Sequence, residues 1–121
     1  MLSGLNHANI STTKLKETVE FFTSILGMHV GPRPDFNFGG AWLYLGDQPV
    51  VHLVERPHAK EPDGALDHVS FTVSDLAAEL RRLDTLGVPY RWSEIPNGFG
   101  KQAFVKDPNG VTIELTEVGK R

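Results

Sequence analysis

Leu66-Asp67-His68-Val69-Ser70-Phe71 repeats in residue character the opening Leu5-Asn6-His7-Ala8-Asn9-Ile10. Self-similarity of this kind marks a duplicated structural unit, and the residues that follow extend it. A helical periodicity comes next in both halves, through Leu15, Val19, Phe22 and Leu26 and then through Leu76, Leu80, Leu83 and Leu86, with charged residues between. Each periodic run follows an N-cap residue, Thr12 or Thr13 in one half and Ser74 or Asp75 in the other, and each stops at a glycine, Gly27 or Gly87. Short β-like runs come after the helices: His29-Val30, Ala41–Leu45 and Val50–Glu55 first, then Pro89–Trp92, Lys101–Val105 and Val111–Glu117. The turns correspond too. Gly46-Asp47-Gln48-Pro49 matches Asp107-Pro108-Asn109-Gly110, where Pro at the second and Gly at the fourth position suit a type I turn.

Both halves therefore read strand, helix, three strands. A unit with one helix can cover only one face of its sheet, so neither half is expected to fold alone. The expectation is a single domain over residues 1–121, with repeat one at about 1–56, a linker rich in Pro, Gly and charge at about 57–64, and repeat two at about 65–118. The fold class this predicts is α+β: two βαβββ modules forming an incomplete curved barrel around a cleft, with the helices outside.

Composition narrows the function. With 12 Lys and Arg against 15 Asp and Glu, the basic footprint of a nucleic-acid binder is missing. No cysteine is present, so thiolate nucleophiles, disulfides and Cys-type metal sites are excluded and any metal rests on imidazole and carboxylate. No run approaches the ~18 apolar residues of a membrane span, and Met1–Ser11 does not read as a secretory signal, so a cytoplasmic location is expected.

Strand alternation identifies a working face, because successive side chains point to opposite sides of a sheet. Val69, Phe71 and Val73 alternate with His68, Ser70 and Thr72, while Val111, Ile113 and Leu115 alternate with Thr112, Glu114 and Thr116. The aliphatic set belongs under the helix, where burying apolar area gains about 25 cal/mol per Å². The polar set is left for other work. In the first half Ala8 and Ile10 alternate with His7, Asn9 and Ser11, but His52 shares its face with Val50 and Val54.

Four residues stand at equivalent places: His7 and His68 in the first strand of each half, His52 and Glu114 in the last. Each alone reads best as a hydrogen-bonded or solvated residue, but coincidence is a poor account of four in a duplicated unit. Three imidazoles and a carboxylate suit one divalent transition metal, Zn²⁺, Ni²⁺, Fe²⁺, Mn²⁺ or Co²⁺, with positions open to water and substrate. His29 and His58 have no counterparts and are expected to be bystanders. Glu55 and Glu117 correspond but point away by parity, and are expected to be surface charges. Phe36, Phe38 and Phe99 lie in glycine-containing loops and can wall a pocket, with Trp42, Tyr44 and Trp92 better explained by packing. Arg33, Arg56, Arg91 and Lys101 are candidates to hold a substrate carboxylate, though a solvated role suits each. Gly39-Gly40 is no phosphate loop, since a strand and not a helix follows it.

The paired halves, the two openings, the phrase Phe22-Thr23-Ser24-Ile25-Leu26-Gly27 and the ending Asp107-Pro108-Asn109-Gly110-Val111-Thr112-Ile113-Glu114-Leu115 resemble the vicinal oxygen chelate superfamily. That superfamily contains glyoxalase I, methylmalonyl-CoA epimerase, extradiol dioxygenases, fosfomycin-resistance proteins and bleomycin-binding proteins. Phe36-Asn37-Phe38-Gly39-Gly40-Ala41-Trp42-Leu43 with Val51-His52-Leu53 resembles its glyoxalase I-like members. The resemblance implies a metal at His7, His52, His68 and Glu114, a substrate chelated through neighbouring oxygens, and a homodimer. It also isolates His52, where glyoxalase I typically has a carboxylate and the epimerase a glutamine. Dioxygenases and fosfomycin-resistance proteins use only the positions of His7, His68 and Glu114, and bleomycin-binding relatives lack the set.

A glyoxalase-type reaction moves a proton between adjacent carbons beside a polarised carbonyl, which requires a base. Glu114 is the one carboxylate in the set and the expected catalytic residue. A single carboxylate fits proton transfer on one face better than a two-base epimerisation. The expected function is a metal-dependent glyoxalase-like lyase or isomerase acting on a small carbonyl compound. The alternatives are an extradiol-type Fe(II) dioxygenase and a metal-free small-molecule binding protein.

Overall fold

A computed structural model describes residues 6–58 and 68–119; most of the expected linker, together with Leu5, Leu66 and Asp67 of the repeated openings, lies outside the described residues. The chain divides into two compact units, Met1–Asp63 and Gly64–Arg121.

The first unit runs β1 (Ala8–Thr12), α1 (Leu15–Glu20), β2 (His29–Gly31), β3 (Gly40–Leu45) and β4 (Gln48–Glu55). Its sheet has the order β1-β4-β3-β2, with β1 parallel to β4 and the other pairs antiparallel. Ile10, Thr12, Ala41, Leu43, Val51 and Leu53 are buried on one face. The expected N-cap is not formed: Lys14 holds that position without a side-chain cap. Thr12 instead ends β1, where its hydroxyl accepts the Lys14 N–H at 2.9 Å and meets the Thr18 hydroxyl at 3.1 Å. The expected apolar stripe is also altered. After Glu20 the helix widens into a π turn over Phe21–Ile25, with the Leu26 N–H donating to the Phe21 carbonyl at 3.2 Å. The extra residue in that turn buries both Phe21 and Phe22, edge to face at 5.3 Å, beside Thr18, while Leu15, Val19 and Leu26 stay half-buried.

The second unit repeats the plan with β5 (His68–Thr72), α2 (Leu76–Leu86), β6 (Arg91–Ile95), β7 (Gly100–Lys106) and β8 (Thr112–Val118), in the sheet order β5-β8-β7-β6. Asp75 is the N-cap, its carboxylate accepting the Ala78 N–H at 3.0 Å, and Gly87 ends the helix at a φ of 70°. Leu76 and Leu83 are buried, as are Ala103, Val105, Ile113 and Leu115 of the sheet. A fully buried Leu or Ile contributes about 1.5–3 kcal/mol, so the helix-facing side stabilises the unit. Glu117 is not the surface charge expected of it. Its Oε1 accepts the Leu76 N–H at 2.9 Å, so a carboxylate from the last strand satisfies an orphan donor in the first turn of α2. The Asp107–Gly110 turn closes through the Gly110 N–H to the Asp107 carbonyl at 3.0 Å, and the buried Asp107 side chain accepts the Asn109 and Val111 N–H groups.

The fold is α+β, two open four-stranded mixed sheets each carrying a helix. Among the described residues no helix is long and apolar enough to cross a membrane.

Candidate functional site

Strand register shows that the duplication aligns the candidate residues. His52 on β4 lies between Asn9 of β1 and Trp42 of β3; Glu114 on β8 lies between Ser70 of β5 and Phe104 of β7. Alternation then puts His52 opposite in sense to the buried Val51 and Leu53, and Glu114 opposite to Ile113 and Leu115. Both project from the sheet face that the helix leaves uncovered.

In the first unit the His7 and His52 rings stack at 3.8 Å, and Trp42 stacks on the other side of His52 at 3.9 Å. The register of β3 against β4 shifts between Leu43 and Tyr44, which leaves the Pro49 carbonyl placed for the His52 Nε2–H to donate to it at 3.0 Å. That bond leaves Nδ1 as the free lone pair of His52. His7 donates from Nδ1 to the Asn6 side-chain oxygen at 2.8 Å, which leaves Nε2 free. Such outer partners fix the tautomer of a ligating histidine. Burial, together with the neighbouring His7, holds the His52 imidazole below its ordinary value of 6.5, against a smaller opposing effect of the Pro49 carbonyl.

In the second unit His68 Nε2 lies 3.7 Å from Glu114 Oε1. Glu114 Oε2 accepts from the hydroxyls of Ser70, at 2.6 Å, and Thr116. Partial burial pushes the Glu114 carboxyl up, but the two hydroxyl bonds and His68 outweigh it and hold the group below its ordinary value of 4.5. Phe104 presents its edge to the His68 ring at 6.3 Å, and the Arg91 guanidinium lies 5.5 Å from the Phe104 centroid.

The four expected site residues thus form two pairs, one in each unit. Among the described residues no group of three or more His, Asp or Glu side chains is assembled as a metal site. The chemistry of each pair suits a divalent cation all the same. An anionic oxygen stands beside an imidazole in one unit, and two imidazoles with one unbonded nitrogen each stand together in the other.

The remaining expectations divide. Lys101 pairs in register with Glu94 and Glu117, on the helix side of its sheet and away from Glu114; Trp92 shares that side through its pairing with Ala103 but is exposed rather than packed, against the expectation. Tyr44 donates its hydroxyl to the Pro32 carbonyl, and His29 and His58 are exposed. Arg33, Phe36 and Phe38 form one cluster in the loop before β3. Ser70, Thr116 and Phe104 were not singled out from the sequence. The polar alternation around Glu114 contains Ser70 and Thr116, but only the register between β5, β7 and β8 makes them its neighbours.

Residues 4–115 match the model of the Glyoxalase/Bleomycin resistance protein/Dioxygenase superfamily. The chain is 28% identical to Glyoxylase I 4 of Arabidopsis thaliana over 94% of its own length and 70% of that protein. It is 25% identical to the lactoylglutathione lyase of Pseudomonas aeruginosa, over 93% of its length and 81% of the relative. Among solved structures, a glyoxylase/bleomycin resistance protein/dioxygenase domain from Frankia sp. EAN1pec superposes with a TM-score of 0.80 at 22% identity, covering 99% of this chain and 100% of that one. At that identity the last likeness speaks for the fold. The chain belongs to the Glyoxalase/Bleomycin resistance protein/Dioxygenase superfamily.

Proposed function

We propose that the protein is a metal-dependent enzyme of glyoxalase type, a lyase or isomerase that moves a proton between adjacent carbons of a small carbonyl compound. One divalent transition metal is held by His7, His52, His68 and Glu114. The observation that supports this most is the pairing of His68 with Glu114 at 3.7 Å, at the register position that His52 occupies beside His7 in the other sheet. The relatives named glyoxylase and lactoylglutathione lyase give the reaction class its direction.

The metal, when bound, supplies Lewis-acid polarisation of a substrate carbonyl oxygen. Ser70 and Thr116 donate to Oε2 and keep Glu114 anionic to lower pH than an ordinary carboxyl, and Oε1, on the His68 side, is the oxygen that accepts a proton from carbon. The same bonds weaken it as a base. His52, held neutral, is a second group able to accept a proton, at Nδ1, only where that nitrogen does not ligate the metal. Trp42 keeps water from one face of the His52 ring.

A second reading follows from the Pro49 carbonyl. If the bond to it and the stack on Trp42 hold His52 off the metal, His7, His68 and Glu114 remain as two imidazoles and a carboxylate, the set that suits Fe²⁺ in an oxygenase. Protein loaded with Ni²⁺ or Zn²⁺ and given an α-ketoaldehyde–thiol adduct in D₂O should form the hydroxyacyl thioester and exchange its carbon-bound proton. Oxygen uptake with catechols under Fe²⁺, without isomerisation, would move the assignment to the second reading. Neither activity with any of these metals would refute both.

A further inference from the structure

The loop between β2 and β3 carries a cation with an unusual setting. Arg33 Cζ lies 5.0 Å from the Phe36 centroid and 5.3 Å from the Phe38 centroid, and the two rings are stacked at 4.9 Å. Both rings are exposed, whereas Arg33 is half-buried. Its Nη2 donates to the Phe38 carbonyl at 2.8 Å, which closes the loop on itself. The loop is fastened at both ends, by the Tyr44 hydroxyl on the Pro32 carbonyl and by the Glu55 N–H on the Gly39 carbonyl at 2.9 Å. Asp35 is in the same loop and the Glu55 carboxylate lies over Gly39, yet among the described residues neither forms an ion pair with Arg33. Of its five N–H donors one is used among the described residues. A guanidinium already fixed by two rings and a carbonyl loses little freedom on accepting an anion, and partial burial strengthens the attraction.

Position ties this cation to the site. A side chain on Gly40 would collide first with the Leu53 carbonyl of the neighbouring strand and would start 3.1 Å from Arg33 Nη2, so the strand backbone requires the glycine and the guanidinium lies beside it at the start of β3. Two residues along that strand, about 7 Å at the usual rise, Trp42 stacks on His52. The first unit therefore carries imidazoles, an indole face, a bare glycine and a fixed cation in order along one strand end.

We propose that Arg33, with Phe36 and Phe38, is an anchoring site for the carboxylate of the substrate, which is a carbonyl compound with an apolar body and a carboxylate at the far end from its reacting oxygens. This rests on the metal-centre reading for the reacting end alone, and the anchor is testable without metal. The probe is 4-phenylbutyrate, with 4-phenylbutanamide as its uncharged counterpart, titrated into chelator-treated protein and followed by NMR shifts of the Arg33 Nε–H and of the Phe36 and Phe38 amides. The acid should shift these signals and bind about fivefold or more tightly than the amide. Arg33→Met should abolish that preference while leaving the rest of the spectrum in place, and Arg33→Lys should keep part of it. Equal binding of acid and amide, shifts confined elsewhere, no binding of the acid, or an undiminished preference in Arg33→Met would overturn the anchor. None of these results bears on metal binding, whose failure is read separately from metal uptake.

Discussion

His52 and Glu114 occupy one register position in two copies of the same sheet, opposite Asn9 and Trp42 in the first and opposite Ser70 and Phe104 in the second. Duplication kept the place and changed the chemistry. One copy presents an imidazole packed between two rings, the other a carboxylate held by two hydroxyls.

That difference has a pH signature. The folded-state value of His52 is below 6.5, so as pH falls through 6.5 the unfolded chain takes up a proton that the folded chain refuses, and stability declines. The Glu114 carboxyl is also below its ordinary value, so its stabilising contribution is present above 4.5 and is lost as pH falls further. In chelator-treated protein the urea midpoint should drop in both windows. His52→Gln should flatten the upper one only, and an unchanged slope there would show that the imidazole is not shielded.

Removing the hydroxyls that hold Glu114 should raise its pKa without removing it from the site. Ser70→Ala combined with Thr116→Val leaves the carboxylate with His68 and solvent. Turnover should then shift its acidic limb to higher pH, while metal content at neutral pH is largely retained. An unmoved limb would separate that limb from Glu114.

The first turn of α2 is held by two carboxylates from different parts of the chain, Asp75 on the Ala78 N–H and Glu117 on the Leu76 N–H. Asp75→Ala and Glu117→Ala should each lower stability by about 1 kcal/mol, read from urea unfolding. Leu83→Ala, at a fully buried position, should cost about 2–5 kcal/mol. A silent Glu117→Ala would return that residue to the surface role its parity first suggests.

Much of this was legible in the residues. The repeated openings, the glycine stops and the strand alternation specify both βαβββ modules and the side of each sheet that is free. The π turn at Phe21–Ile25 was not legible, because a helical stripe through Leu15, Val19, Phe22 and Leu26 satisfies the period as well, and burial of two adjacent phenylalanines decides otherwise. Thr12 reads as an N-cap by type and serves instead as a strand end whose hydroxyl serves the same turn. Glu117 reads as surface charge because its partner, the Leu76 N–H, is far away in sequence. Trp42 and Phe104 became neighbours of the site only through register, a property of paired strands that no single strand displays.

Substitution at the proposed base distinguishes two roles. Glu114→Gln should abolish turnover beyond what lost metal explains, and His52→Gln should leave substantial metal binding through the other three ligands. Full metal and full activity in Glu114→Gln would contradict that assignment and make His52 the next residue to test.

Metal content tests the central claim most directly. Untagged protein expressed in supplemented medium and analysed by mass spectrometry should carry about one divalent transition metal per chain, with His7→Ala, His68→Ala and Glu114→Ala each losing most of it. Protein that contains almost none, and takes up none of Zn²⁺, Ni²⁺, Fe²⁺, Mn²⁺ or Co²⁺ on titration, would contradict the account and leave small-molecule binding as the function of the site.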